Sequence, residues 1–343
     1  MGGLAALGAA TALPFELSAT DTPLANLPPG LIDLHHHILP PAYMAEARDR
    51  VVAQYQGTLP AAVASWTPQE ALAEMDRSGV ATAIVSISTP GVWFGDKVAA
   101  RRLARTCNEY AARLVRDHPG RFGFFAAVPL PDQEGALSEI DYALAALKAD
   151  GIGLMTSYGD RWPGDPAFSE VFEEINRRKA VVYFHPTGPD CCRDLMSYVP
   201  YVVTELPHDT TRAITSLLFS GSLSRLRETR FIFSHAGGTM PMLAGRIARA
   251  ARGREEIGRK LPNGVEWELR RLHYEIAGSA NRPAMAALTN LVPMSQILFG
   301  TDYPYAPVRT TAEGMRDLGM TDDDLKRIGR ENALALFPRL NTA

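Results

Sequence analysis

Eight short apolar runs, alternating with longer amphipathic stretches between residues 31 and 304, leave few folds open to this chain. The runs are LIDLHHHI (31–38), VATAIVSIS (80–88), FGFFAAVPL (122–130), GIGLMTSY (151–158), AVVYFHP (180–186), FIFSHAGG (231–238), LHYEIAG (272–278) and QILFGTDYP (296–304). Their largely apolar character suits parallel strands covered on both faces, and alternation with helices predicts an α/β architecture. One helix is predicted from Thr67-Pro68-Gln69-Glu70, a capping box with proline in the first turn, toward Gly79. Others are predicted over about 97–117, 134–149, 166–178 and 209–221, and from Pro241, residue 282 and Thr321. A doubly wound sheet would show the same alternation but carry a Gly-rich phosphate loop after its first strand. Here the first strand ends in histidines. The expectation is a single (β/α)8 TIM-type barrel over residues 30–343, with residues 187–208 as an active-site insertion after strand five.

Composition narrows the partners. The chain is 46% hydrophobic and 21% charged, ordinary for a soluble globular protein, and its net charge of −3 suggests neither a nucleic-acid nor an anionic-membrane partner. Outside the N-terminus, no segment approaches the ~20 apolar residues of a membrane span. Cys107, Cys191 and Cys192 form neither a disulfide framework nor a CxxC zinc pair. The adjacent pair is expected to stay unbridged, since disulfide geometry fits poorly across one peptide bond, and a reducing compartment is expected. Residues 2–13 are small and apolar, so residues 1–29 read as a leader remnant or a disordered tail. The location is then cytoplasmic as the chain stands, or periplasmic if residues 1–19 end a truncated export leader.

The strand ends carry the chemistry. Strict alternation puts Asp33, His35 and His37 on one face, and Ile32, Leu34, His36 and Ile38 on the other, against the helices. His35 and His37 then point into the barrel mouth, and His36 outward. His185, His235 and Asp302 end strands five, six and eight, the end of a barrel where active sites form. A lone buried histidine is usually a satisfied core residue; four converging on an aspartate suit zinc or another first-row divalent ion. Trp93 and Phe94 are candidates to wall an aromatic pocket, or simply pack their loop. Arg212 is a candidate for a substrate carboxylate, or a surface ion pair at a helix start. Tyr303 and Tyr305 are candidates to line the mouth. Glu275, on one face of strand seven with His273, reads as a floor or interface residue, with a hydrogen bond to a metal-binding histidine as the alternative.

The DxHxH element, the HP after strand five, SHAGGT after strand six and GTDYPY after strand eight resemble the amidohydrolase superfamily. Together with WTPQEALAEMDRSGV and DTTRAI, they are similar to its amidohydrolase-2 branch over about residues 31–338. That branch is the group of aminocarboxymuconate-semialdehyde, γ-resorcylate and 6-methylsalicylate decarboxylases. The resemblance implies His35, His37, His185 and Asp302 as metal ligands, and His235 as a base or proton shuttle or a further ligand. It implies one divalent ion, zinc with manganese as the alternative, because GIGLMTSY offers no lysine for a bridge. The implied activity is non-oxidative decarboxylation of a small aromatic acid, an ortho-hydroxybenzoate such as 6-methylsalicylate, with Asp302 as proton donor. Hydrolysis of a lactone, ester or amide by the same site is the alternative, and a homodimer is implied. Two departures from the branch pattern, no arginine in LPAAVAS (59–65) and Thr187 in place of a tryptophan, speak against an open-chain dicarboxylic substrate.

Overall fold

The computed structural model describes residues 28–55, 57–192, 195–196 and 198–342. The leader or tail expected over 1–29 lies outside the described residues, apart from Pro28 and Pro29.

Eight parallel strands pair in chain order: β1 (Leu31–His37), β2 (Val80–Ser86), β3 (Phe122–Ala127), β4 (Gly151–Met155), β5 (Val181–His185), β6 (Arg230–Phe233), β7 (His273–Glu275) and β8 (Ile297–Leu298). The segment after β8 closes on β1 through Leu34 N–H to the Phe299 carbonyl, at 3.0 Å, and a parallel bridge between His36 and Tyr303. Helices connect successive strands, as the alternation predicts, and the fold is a (β/α)8 barrel. Helices α1 (Pro41–Gln54) and α2 (Pro68–Ser78) follow β1, and α3 (Lys97–Asp117) follows β2. Next come α4 (Gln133–Ala145), α5 (Ser169–Arg177), α6 (Glu205–Phe219), α7 (Met240–Ala251), α8 (Arg282–Leu291) and α9 (Val308–Asp317). Local chemistry sets several ends. Thr67 Oγ1 accepts the Glu70 N–H at 3.1 Å to start α2, and Gly79 ends it with a left-handed φ of 73°. The α6 helix starts at Glu205 rather than near residue 209, so Arg212 sits in its second turn and Asp209 is buried.

Two apolar layers hold the barrel. The larger lies between strands and helices; the smaller fills the interior with Ile32, Leu34, Ile84, Phe125, Tyr183, Ile232 and Leu298. Phe337 and Leu340 join this inner layer from the N-terminal end of the strands, where Arg339 pairs with Asp150.

This layering corrects the strict alternation in β1. Asp33 pairs with Ala83 and His36 with Val85, so β1 spends three steps where β2 spends two. The extra residue is a β-bulge. It keeps Ile32 and Leu34 in the interior rather than against the helices, while Asp33 turns to the side of His36, whose Nδ1 lies 3.0 Å from Asp33 Oδ2. His36 is turned outward as expected, yet it is fully buried. A second correction concerns the adjacent cysteines: Cys191 and Cys192 are bridged, their side chains brought together by the 3-10 turn Asp190–Cys192.

His273 gives the fold a pH dependence. Burial lowers its imidazole to about 4; a hydrogen bond to the Phe231 backbone opposes this, and Arg230 and Arg271 add to it. The unfolded chain protonates this side chain near pH 6.5 and the native one only near 4. The neutral histidine therefore contributes full stability above pH 6.5, and that contribution falls as pH drops toward 4. The loss is on the order of 3 kcal/mol. Urea unfolding across pH 4–7 should show a shallower acid slope in His273→Gln than in the parent; parallel slopes would refute the assignment.

Candidate metal centre

Three imidazoles and one carboxylate meet at the C-terminal mouth of the barrel. His35 Nε2 lies 3.0 Å from His37 Nε2, and both are 3.1 Å from Asp302 Oδ1. His185 completes a set in which every residue offers a ligand atom within 4.8 Å of the others. Tetrahedral ligand atoms ~2.0–2.1 Å from one ion stand roughly 3.3 Å apart, so this donor set fits a single divalent metal ion. His235 stands at the edge, its Nε2 3.9 Å from Asp302 Oδ2.

Each imidazole is oriented through its other nitrogen. Nδ1 of His35 faces Glu275 Oε1 at 2.7 Å, and Nδ1 of His37 faces the Ser86 carbonyl at 3.2 Å. Nδ1 of His185 faces the Pro186 carbonyl, and that of His235 the Ala277 carbonyl, both at 2.8 Å. With Nδ1–H donating in each case, the four Nε2 lone pairs are left for the centre. The reading of Glu275 as floor or interface is thereby corrected. It is fully buried, and besides His35 it accepts the backbone N–H groups of His235 at 2.8 Å and Ala277 at 2.7 Å. Its position beside His35 depends on Gly300, where any Cβ would collide with the carboxylate.

Backbone and charge both show local strain. His235 and Asp302 hold left-handed φ values of 52° and 66°, a conformation that non-glycine residues adopt at a cost of about 1–3 kcal/mol. Burial lowers the His35 imidazole, but Glu275 and Asp302 reverse this and raise it to about 10. Burial pushes the Asp302 carboxyl up, yet the charge and hydrogen bonds of His35 and His37 outweigh it and hold it well below the usual range. Burial lowers both His37 and His185. A cation bound here competes with the proton on His35, so its affinity should rise with pH.

A cavity of about 270 Å³ opens beside the centre. Ser86, whose carbonyl faces His37, and Thr187, two residues beyond His185, are on its wall. Trp93 and Phe94 also line it. Among the described residues the wall includes no Lys, Arg or His; Asp190 is its one acidic member. Tyr303 and Arg212 stand elsewhere. Tyr303 is buried with its ring 4.8 Å from His36, on the outward side of β1. Arg212 pairs with Glu205 at 3.5 Å and shares a separate groove with Trp162. Tyr305 does face the centre, its ring 5.4 Å from His37.

These positions separate the histidines by role. His185→Ala and Asp302→Ala should each lower bound metal at least tenfold at equal protein concentration, while His36→Gln should retain it. Elemental analysis after dialysis against zinc decides this. Full occupancy in His185→Ala, or loss in a folded His36→Gln, would overturn the ligand set.

The family model described as amidohydrolase, Amidohydro_2, matches residues 32–339. The chain is 38% identical over 332 residues to "6-methylsalicylic acid decarboxylase acuB" of Aspergillus aculeatus, covering 91% of this chain and 97% of that protein. It is 36% identical over 326 residues to "Decarboxylase yanB" of Aspergillus niger, covering 90% of this chain and 87% of that protein. In fold it matches a dihydroxybenzoic acid decarboxylase from Polaromonas, solved with bound manganese and 2-nitroresorcinol. That match has a TM-score of 0.79 at 21% identity and covers 92% of this chain and 98% of the other. No helix among the described residues is long and apolar enough to cross a membrane. With the barrel, the converging donors and these matches in agreement, the chain belongs to the amidohydrolase family.

Proposed function

We propose that this protein is a metal-dependent, non-oxidative decarboxylase of a small ortho-hydroxybenzoate, of the 6-methylsalicylate type, releasing CO2. One observation carries the reading: a cavity with no cationic side chain on its described wall opens beside three imidazoles and a carboxylate. A substrate carboxylate there would have its countercharge in the divalent ion that the donor set would hold, and its ring the aromatic wall of Trp93 and Phe94. The decarboxylase relatives of Aspergillus support the same chemistry.

His35, His37, His185 and Asp302 would hold one divalent ion. When bound, the ion supplies a positive centre for the substrate carboxylate and the neighbouring phenolic oxygen. Zinc suits the donor set; the manganese of the Polaromonas relative makes that ion the alternative. The ring carbon bearing the carboxylate must gain a proton, after which the electron pair of the C–C bond returns to the ring as CO2 leaves. Asp302 is the donor nearest the centre, but it is ionised at rest and does not store the proton. His235 fills that gap. Its Nε2 faces Asp302 Oδ2, Ala277 fixes its Nδ1, and its side chain is 17% exposed, so it relays a proton from solvent. Trp93 and Phe94 orient the ring. Arg212 and Tyr303, away from the cavity, take no part. A homodimer is proposed from the resemblance alone.

The test is CO2 release from salicylate, 6-methylsalicylate and γ-resorcylate by zinc- and manganese-loaded protein, with a chelated control. Metal-dependent CO2 from 6-methylsalicylate is the expected result, and His235→Asn should lower kcat about 10²-fold or more with little change in KM. No CO2 from any loaded form, with hydrolysis of a lactone or ester instead, would refute the decarboxylase reading.

A further inference from the structure

Two of the three inward positions of β4 are glycines, with Met155 as the third at the mouth, and the fold accounts for only one of the glycines. A Cβ on Gly151 would meet the Val181 carbonyl oxygen at 2.5 Å, so packing against β5 demands glycine there. Gly153, two residues nearer the mouth, is under no such constraint. Its backbone is not left-handed, and a Cβ would find Phe125 Cβ at 3.4 Å and two carbonyl oxygens at 3.6 and 3.7 Å, ordinary contact distances. Glycine inside a strand costs roughly 0.5–1 kcal/mol relative to alanine, and often marks a close approach by a ligand.

The space that a side chain at 153 would fill is the cavity. Gly153 lines it and is partly exposed, although Ile152 and Leu154 on either side are buried. Ala127, the corresponding inward residue of β3, pairs with Gly153 in the parallel register, also lines the cavity and is likewise partly exposed. Phe125 lies one inward step below, stacked on Tyr183 at 5.0 Å, and closes the floor. The pair therefore forms a small-residue recess between a rigid aromatic floor and the rim of Trp93 and Phe94. The described wall of the recess is apolar or hydroxyl-bearing apart from Asp190, which suits an uncharged substituent.

We propose that Gly153, together with Ala127, determines specificity by making room for an uncharged alkyl substituent on the substrate ring. This inference rests on the decarboxylase reading. The substrate class narrows to monoanionic hydroxybenzoates with one small apolar substituent, and unsubstituted salicylate leaves the recess unfilled.

The experiment compares metal-loaded parent, Gly153→Ala, Gly153→Val and Ala127→Val. For each, kcat/KM for 6-methylsalicylate and salicylate is measured by CO2 release, and Kd for each acid by calorimetry. Thermal unfolding of Gly153→Ala should match or exceed the parent, because the added methyl has room. The preference for 6-methylsalicylate should fall about tenfold or more in Gly153→Val and in Ala127→Val, mainly through KM and Kd, the scale of one methyl group in an apolar pocket. An unchanged preference, or an equal loss for both acids with a lowered Tm, would overturn the inference and leave the decarboxylase reading intact. Absence of both CO2 release and binding in the parent would overturn that reading, and this inference with it.

Discussion

The buried carboxylate of Asp33 is the interaction on which the centre depends. It accepts the Thr301 N–H at 3.1 Å and the Thr301 hydroxyl at 2.6 Å, the His35 N–H at 3.0 Å and His36 Nδ1 at 3.0 Å. One side chain thus ties the strand that bears His35 and His37 to the segment that bears Asp302, across the seam where the barrel closes. The bulge in β1 makes this possible by turning Asp33 away from the mouth while both histidines still face it. A fully buried carboxylate is tolerated only when its lone pairs are filled, and here four donors fill them. This backbone brings His35 and His37 within 3.1 Å of Asp302. Donors held by such supporting hydrogen bonds have the fixed geometry that a metal site requires.

Much of the architecture was legible in sequence because parallel strands and amphipathic helices carry opposite periodicities. Four strands ending in His or Asp stood out against apolar runs, and strand polarity put them at the mouth. What alternation could not show was a break in itself. The bulge between Asp33 and His36 leaves no mark on residue type, so Ile32 and Leu34 were placed against the helices although they fill the barrel. Residue type alone does not separate a floor or interface role for Glu275 from its hydrogen bond to His35, because depth in a barrel depends on stagger between strands and on the bare backbone of Gly300. Arg212 and Tyr303 had suitable chemistry near suitable strands, but the early start of α6 and the bridge of Tyr303 to His36 carry them away from the cavity. Helix α1 carries little signal in the sequence: it opens at Pro40 and Pro41 with no side-chain cap, and buries a thin face of Tyr43, Ala47, Val51 and Gln54.

The division of charge between centre and cavity explains how one site can bind and activate a carboxylate. Charge is concentrated where Glu275, Asp302 and His35 meet, behind a wall whose described residues are neutral apart from Asp190. With the countercharge supplied by the ion that the donor set would hold, the substrate ring would lie among apolar and hydroxyl groups, where the departing carboxylate would lose charge at little cost in solvation. The same reasoning gives His235 its place. Its Nε2 is 3.9 Å from Asp302 Oδ2, at the edge of the donor set, with its ring partly open to solvent. A proton can be delivered there without admitting a competing cation to the ring. The left-handed backbone at both His235 and Asp302 holds the proposed relay pair at the donor set.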